Sequence, residues 1–491
     1  TGADNVAVGG AALLSNTTAS NNTAVGKGSL QSNTTGEYNT AVGKQALTAA
    51  TTASQNTGVG YFAGGALTTG TQNTAVGSVA LGGNTTGDSN TAIGWKSQQA
   101  ASTCSYNTSV GDSAMRYVTT GSNNSAFGFA ALTTNTTGAN NVAVGYQALL
   151  DNTTGSYNIA IGYNSMEENT VGAENVAVGN NSMEENTTGS NNVAVGRDSL
   201  VNNTTGSGNV AVGGLALNDN TTANYNTAVG YQALDVNTTG EYNVAVGKGT
   251  LGANTASYNT AVGTDALLTN STGDSSIAMG YRSLEKNTTG GSNTALGYYA
   301  SRQNTTGSWQ VAVGREALEN SVQGNGSVAI GYKALHTSTE SNYQVAIGFE
   351  VLESATSAAT GNVMMGYRCG HNLTSGDDNV SIGHQALYSI TEASRNVAMG
   401  KNALYAVTDA GHDNIAIGYD AGDSITSGDQ NVAIGSETLD ACTTGGYNSA
   451  VGKASLGALT TGTYNTGIGF ESGVDITTGD ANVCLGRNTT T

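Results

Sequence analysis

The sequence predicts an all-β protein, a parallel β-solenoid (β-roll) of 29 coils with a 17-residue period. Three observations carry that expectation. A five-residue phrase, Asn-Val-Ala-Val-Gly at Asn5 to Gly9, returns 29 times and ends in Gly on every occasion. Twenty-five of the 28 spacings between copies are 17 residues. Inside the phrase, apolar or β-branched residues alternate with small ones in the period of a strand.

Counting the Asn of the phrase as position 1, position 2 is Val, Ile or Thr apart from Ser125 and Ser449, and position 4 is always apolar. Position 3 is nearly always Ala, with Met364 the one large exception. Side chains alternate across a strand. Positions 2 and 4 are therefore expected to fill the coil interior, and the Ala face is expected to admit a second chain. That assignment makes position 3 the seam of a homotrimer, where Asp in place of Ala143 and Ala160 would dissociate the chains. After the closing Gly, Leu is the usual residue at position 9, as in Leu13, Leu149 and Leu234, and adds a third core side chain.

Next comes Asn-Thr-Thr-Gly, as in Asn152 to Gly155, which reads as a turn because Asn and Thr satisfy local backbone groups and Gly supplies positive φ. The exceptional spacings, one of 16 and two of 18, fall near Gly252, Ala359 and Ala410. Position 1 is Asn in 25 coils, and in-register stacking would join its amides along the axis. Asn5, Asn141, Asn158, Asn226 and Asn243 are members of this expected structural ladder. A similar Tyr column is expected just before it, at Tyr225, Tyr242 and Tyr258. Exposed Tyr at position 6, in the adjacent-coil pairs Tyr146 with Tyr163 and Tyr281 with Tyr298, are candidates for surface recognition of sugars.

No composition break interrupts the period, so residues 1–491 are expected to be one continuous repeat shaft. Coils of about 4.8 Å would make it a rod about 140 Å long. The start Thr1-Gly2-Ala3-Asp4 lacks an initiator Met and a signal pattern, so the shaft is expected to be a segment of a longer fibre. Asp and Glu outnumber Lys and Arg by 35 to 16, and no basic run is present, which argues against nucleic-acid binding. No apolar run is long enough for membrane insertion. Cys104, Cys369, Cys442 and Cys484 lie in non-adjacent coils, so free thiols are expected.

His336, His371, His384 and His412 are scattered, none in a metal-binding spacing, and no Ser-His-Asp arrangement rises above chance. Neither an enzyme nor a cofactor or metal site is expected. Glu167-Glu168 recurs one coil later as Glu184-Glu185, a stack of like charges that reads as solvated repulsion. Two alternative functions remain open. Ice binding would use ranks of Thr, but position 2 is assigned to the core and positions 13 and 14 to a turn. A glycan-coated matrix filament would use the sequons at position 12, among them Asn16, Asn33, Asn84, Asn135, Asn152, Asn186, Asn203, Asn220, Asn237 and Asn287.

Asn-Val-Ala-Val-Gly and Ser-Val-Ala-Ile-Gly (Ser327 to Gly331) resemble the head repeat of trimeric autotransporter adhesins. Asn226 to Leu234 followed by Asn237 to Gly240 is similar to the shaft repeats of tail-fibre-type proteins of bacteriophages and bacteria. The resemblance spans the chain, is most specific in the strand phrase, and departs from adhesin heads in the longer coil with its Leu and Asn-Thr-Thr-Gly. It implies an extracellular homotrimeric fibre, on a virion or a bacterial surface, that holds or forms an attachment site, with a host or cell-surface glycan as a possible partner.

Overall fold

A computed structural model describes residues 2–356 and 358–490. The chain is a parallel β-solenoid with one three-residue strand per phrase, and no helix occurs among the described residues. It divides into two compact units, Thr1–Asn243 and Val244–Thr491. The first contains the strands from β1 (Val6–Val8) through β9 (Val142–Val144) and β10 (Ile159–Ile161) to β14 (Thr227–Val229). The second contains those from β15 (Val244–Val246) to β29 (Val483–Leu485). Within each unit equivalent residues stack in register, as in the pairs Val142–Ile159, Ala143–Ala160 and Val144–Ile161. Where the spacing changes to 18, the strands keep register, with Val345 opposite Val363 and Val397 opposite Ile415.

The two faces of the strand are the reverse of the sequence expectation. Ala143, Ala160 and their equivalents are fully buried inside the coil, whereas Val144 is 36% and Ile161 39% exposed. The cause is the width of the coil. A Cβ added at Gly58, at position 3, would lie 2.9 Å from Cγ of Leu47 in the preceding coil, and one at Gly467 would lie 2.8 Å from Cγ of Leu456. Leu at position 9 fills the interior, which leaves room for little more than a methyl group opposite it. Small residues at position 3 answer to the chain's own core, and they are not an interchain seam.

In four coils a side chain missing at position 9 is matched by a large apolar one at position 12, a position that also takes Ile390 and Leu459 in coils with Leu387 and Leu456. Where position 9 is Gly64, Gly370, Gly422 or Gly473, position 12 is Leu67, Leu373, Ile425 or Ile476 in place of the usual Asn. A Cβ on Gly64 would meet Leu67 at 3.1 Å, and one on Gly422 would meet Ile425 at 2.9 Å. Met364 occupies the space beside Gly370, whose added Cβ would sit 2.0 Å from the Met364 sulfur. A large residue at position 3 is thus accommodated by a missing one at position 9.

Backbone bonds run between coils well beyond the strands. Gln45 N donates to Lys27 O at 2.9 Å, Leu30 N to Ala46 O at 3.0 Å, and Thr34 N to Thr51 O at 2.9 Å. This bonding holds side-chain-bearing residues in left-handed conformations, such as Gln147 (φ 53), Leu149 (φ 52) and Tyr157 (φ 61). Each costs roughly 1–3 kcal/mol on its own and persists because the stacked neighbours determine it.

Candidate functional site

Two columns of buried amides form the scaffold. Asn22 N donates to Asn5 Oδ1 at 3.0 Å, Asn158 N to Asn141 Oδ1 at 2.9 Å, and Asn243 N to Asn226 Oδ1 at 2.9 Å. The Asn141 amide also donates 2.9 Å across its coil to Gly155 O, so one side chain ties the strand both to the coil after it and to its own return segment. A second column, absent from the sequence reading, lies at position 12. Asn152, Asn169, Asn186, Asn203 and Asn220 each donate to the Asn one coil earlier, at 2.7–2.9 Å. The sequon asparagines Asn33, Asn84, Asn135, Asn152, Asn186, Asn203, Asn220, Asn237 and Asn287 are fully buried. An oligosaccharide on any of them would require the column to open, which removes the physical basis for a glycan coat there.

The outward face carries the aliphatic side chains. Position 4 forms an unbroken apolar rank in each unit, with Val144, Ile161, Val195, Val212 and Val229 each 36–39% exposed in the first and Ile382, Ile417, Ile434 and Val451 37–39% exposed in the second. Apolar side chains repeated in this way, coil after coil, are a larger contiguous patch than a chain standing alone in water usually exposes. Beside it, Thr23, Thr40, Thr57, Thr74, Thr91 and Thr108 occupy position 2 of six consecutive coils, stacked in register and partly exposed. Position 2 is thus on the surface, contrary to its assignment to the core.

Around the corner from this face, position 6 carries aromatic stacks. Tyr146 and Tyr163 lie 5.1 Å apart with ring planes 6° from parallel, and Phe129 extends the column at 5.2 Å. Tyr281 and Tyr298 are 5.4 Å apart, with Tyr299 4.1 Å from Tyr298. All four position-6 candidates are 38–49% exposed. Stacking covers both faces of Tyr146, between Phe129 and Tyr163, and one face of Tyr163. A further column, Tyr332–Phe349–Tyr367–His384, has spacings of 4.9–5.4 Å and was not singled out from the sequence. Tyr225 and Tyr242 of the position-17 column also stack, at 5.2 Å.

Charged side chains gather at positions 7 and 10. Glu316, Glu319 and His336 bring ligand atoms within 4.8 Å of one another, and so do Glu350, Glu353 and His371. Sequence spacing hid these groups because each His lies one coil beyond its glutamates. Among the described residues these are the sets able to hold a metal ion, but their carboxylates already have basic partners. Arg315 lies 2.8 Å from Glu316, Arg302 3.6 Å from Glu319, Arg368 2.7 Å from Glu350 and Lys333 3.7 Å from Glu353. The acidic stack differs. Burial, followed by the charges of Glu184, Asp151 and Glu168, raises the Glu167 pKa above the ordinary carboxylate range. Burial is also the first cause of the raised values of Asp235, Asp423 and Asp440. Asp413, hydrogen-bonded to Arg395 at 2.7 and 2.9 Å, is shifted downward.

A carboxyl group whose folded pKa is raised binds its proton more tightly in the fold than in the unfolded chain, so stability falls as pH rises through that range. With four raised carboxyls against one lowered, thermal melts at low salt are expected to show a higher midpoint at pH 5 than at pH 8. A midpoint that falls on acidification contradicts this balance.

The four thiols are free and buried, and burial pushes Cys104 and Cys442 up to about 11. Cys104 and Cys442 are therefore inert in the folded state. No protein-family model and no curated protein sequence matches this chain.

Proposed function

We propose that the chain is the repetitive shaft of an extracellular attachment fibre, tail-fibre-like or surface-adhesin-like, assembled as a homotrimer through its outward aliphatic rank. The observation that carries this reading is the unbroken apolar position 4, coil after coil, on a face that a solitary chain leaves in water. A side chain about 37% exposed, as in Val195 or Ile330, forfeits burial that association would recover at roughly 25 cal/mol per Å². Three copies around an axis would close three such ranks into one column. The stacked Tyr146–Tyr163 and Tyr281–Tyr298 pairs lie off this face and stay available to saccharides of the attached surface. Light scattering tests the assembly, with an expected mass about three times the 49.1 kDa of one chain.

A second reading, an ice-binding solenoid, gains from the outward rank Thr23 to Thr108 flanked by Val25, Val42, Val59, Val76, Ile93 and Val110. Regular stacking repeats these methyl and hydroxyl groups at about the inter-strand spacing of 4.8 Å. One face cannot be both an assembly seam and an ice plane. Thermal hysteresis from a monomeric particle would establish the second reading, and its absence from a trimer would leave the fibre in place.

A further inference from the structure

Position 6 changes character near the start of the chain. In three consecutive coils the column reads Lys27, Lys44, Tyr61, followed by Ser78. Beneath it lies a cleft of 260 Å³ lined by Ala11, Lys27, Gly28, Gln31, Lys44 and Gln45. The cleft exists because position 7 is Gly28, where the next coil carries Gln45. A Cβ built on Gly28 would meet Gln31 Oε1 at 3.2 Å.

Its electrostatics set it apart from the rest of the molecule. The chain carries a net charge of −19, yet two ammonium groups sit on stacked coils here. Neither is within ion-pair distance of a carboxylate among the described residues. Arg302, Arg315, Lys333 and Arg368 of the second unit, by contrast, each lie within 3.7 Å of a Glu carboxylate. Coil stacking holds the two lysines about 5 Å apart at the backbone, so a bound anion would relieve their repulsion. The Gln31 and Gln45 amides add donors and acceptors at the wall.

Tyr61 completes the arrangement. Its ring is 49% exposed, lies 5.7 Å from Lys44 Nζ, and has Ser78 on its other side in place of a stacked ring. Lys44 lies over the face of the ring turned to the cleft, so the open face, toward Ser78, is a platform for the sugar adjacent to the one whose acidic substituent the lysines hold.

We propose that this cleft binds an acidic saccharide, with Lys27 and Lys44 holding the anionic oxygens, the Gln31 and Gln45 amides hydrogen-bonding ring hydroxyls, and Tyr61 stacking on an adjacent sugar. The inference names a ligand class for the attachment role proposed above and rests on that reading only for its setting. The shared chemistry is a charged oxygen cluster on a sugar ring, supplied by a uronate carboxylate or by a sulfate ester.

Calorimetric titration of the full chain tests it with an oligogalacturonate, a sulfated galactan oligosaccharide, the neutral galactan of equal length, and a thymidine oligonucleotide. Binding to one or both acidic saccharides is expected, weakened at least tenfold in Lys27→Ala/Lys44→Ala and in Gly28→Gln. The second variant fills the cleft with the side chain that position 7 bears at Gln45, Gln147 and Gln232, at equally positive φ. Tyr61→Ala is expected to weaken saccharide binding severalfold. Equal binding of the neutral galactan, tighter binding of the oligonucleotide, or unchanged affinity in both cleft variants would overturn the proposal. Light scattering of the same samples reads the assembly separately, so a failed cleft and a failed fibre give different results.

Discussion

Gly145→Ala is expected to destabilise its unit by about 3 kcal/mol or more, and to do so locally. Gly145 has φ 139, a region essentially closed to side-chain-bearing residues, and occupying it costs roughly 1–3 kcal/mol before any clash is counted. The clash is then with backbone. An added Cβ would stand 2.1 Å from the carbonyl oxygen and 2.7 Å from the carbonyl carbon of Gly162, the equivalent residue one coil on. Gly145 N also donates to Phe127 O at 2.8 Å, so the residue cannot move aside without breaking the ladder.

The chain supplies its own control at position 15. A Cβ on Gly155 would approach Gly172 O to 2.3 Å, a comparable distance. Yet Ala19, Ala53, Ala223 and Ala393 occupy that position in other coils, and Gly155 does not have positive φ. Gly155→Ala should therefore cost well under half as much. Because each coil contacts only its neighbours, hydrogen exchange should accelerate around Phe127 to Gly179 in Gly145→Ala and remain slow in distant coils. Equal melting of the two variants would refute the explanation offered for the invariant Gly.

This geometry also shows how far the sequence could be read. Period, strand position, the closing Gly and the stacking of position 1 follow from repetition alone, because any residue repeated in register must tolerate its own copy. The assignment of faces does not follow. Alternation states that Val144 and Ala143 point opposite ways, and hydropathy favours Val inside. Here the deciding term is the volume of Leu149 and its equivalents, which leaves space only for Ala. The second amide column was hidden for a related reason. Asn-Thr-Thr-Gly carries the chemistry of a turn, and nothing in Asn152 itself distinguishes a local bond from one to Asn135. The grouping of Glu319 with His336 depends on coil register, which places residues 17 apart in contact at 3.1 Å.

Val144→Asp combined with Val195→Asp is expected to convert the trimer proposed above into folded monomers. Val144 is 36% and Val195 37% exposed, and the two lie three coils apart, so their carboxylates do not repel each other strongly within one chain. In an isolated chain both groups would be hydrated, and the cost is limited to the poor strand propensity of Asp, on a scale of about 1 kcal/mol. In a trimer closed along position 4, six carboxylates would be brought into an apolar column without partners, at several kcal/mol per site. The parent should then scatter as about three times 49.1 kDa and the variant as one chain, with the circular dichroism of the fold retained. Ala143→Asp provides the contrast. Ala143 is fully buried beneath its own coil, so Asp there should disrupt that coil whether or not partners are present. A monomeric parent, or a double variant that keeps the parent's mass, would reject assembly through the aliphatic rank. Loss of trimer with an intact fold would locate the seam on the Val and Ile face of the strand.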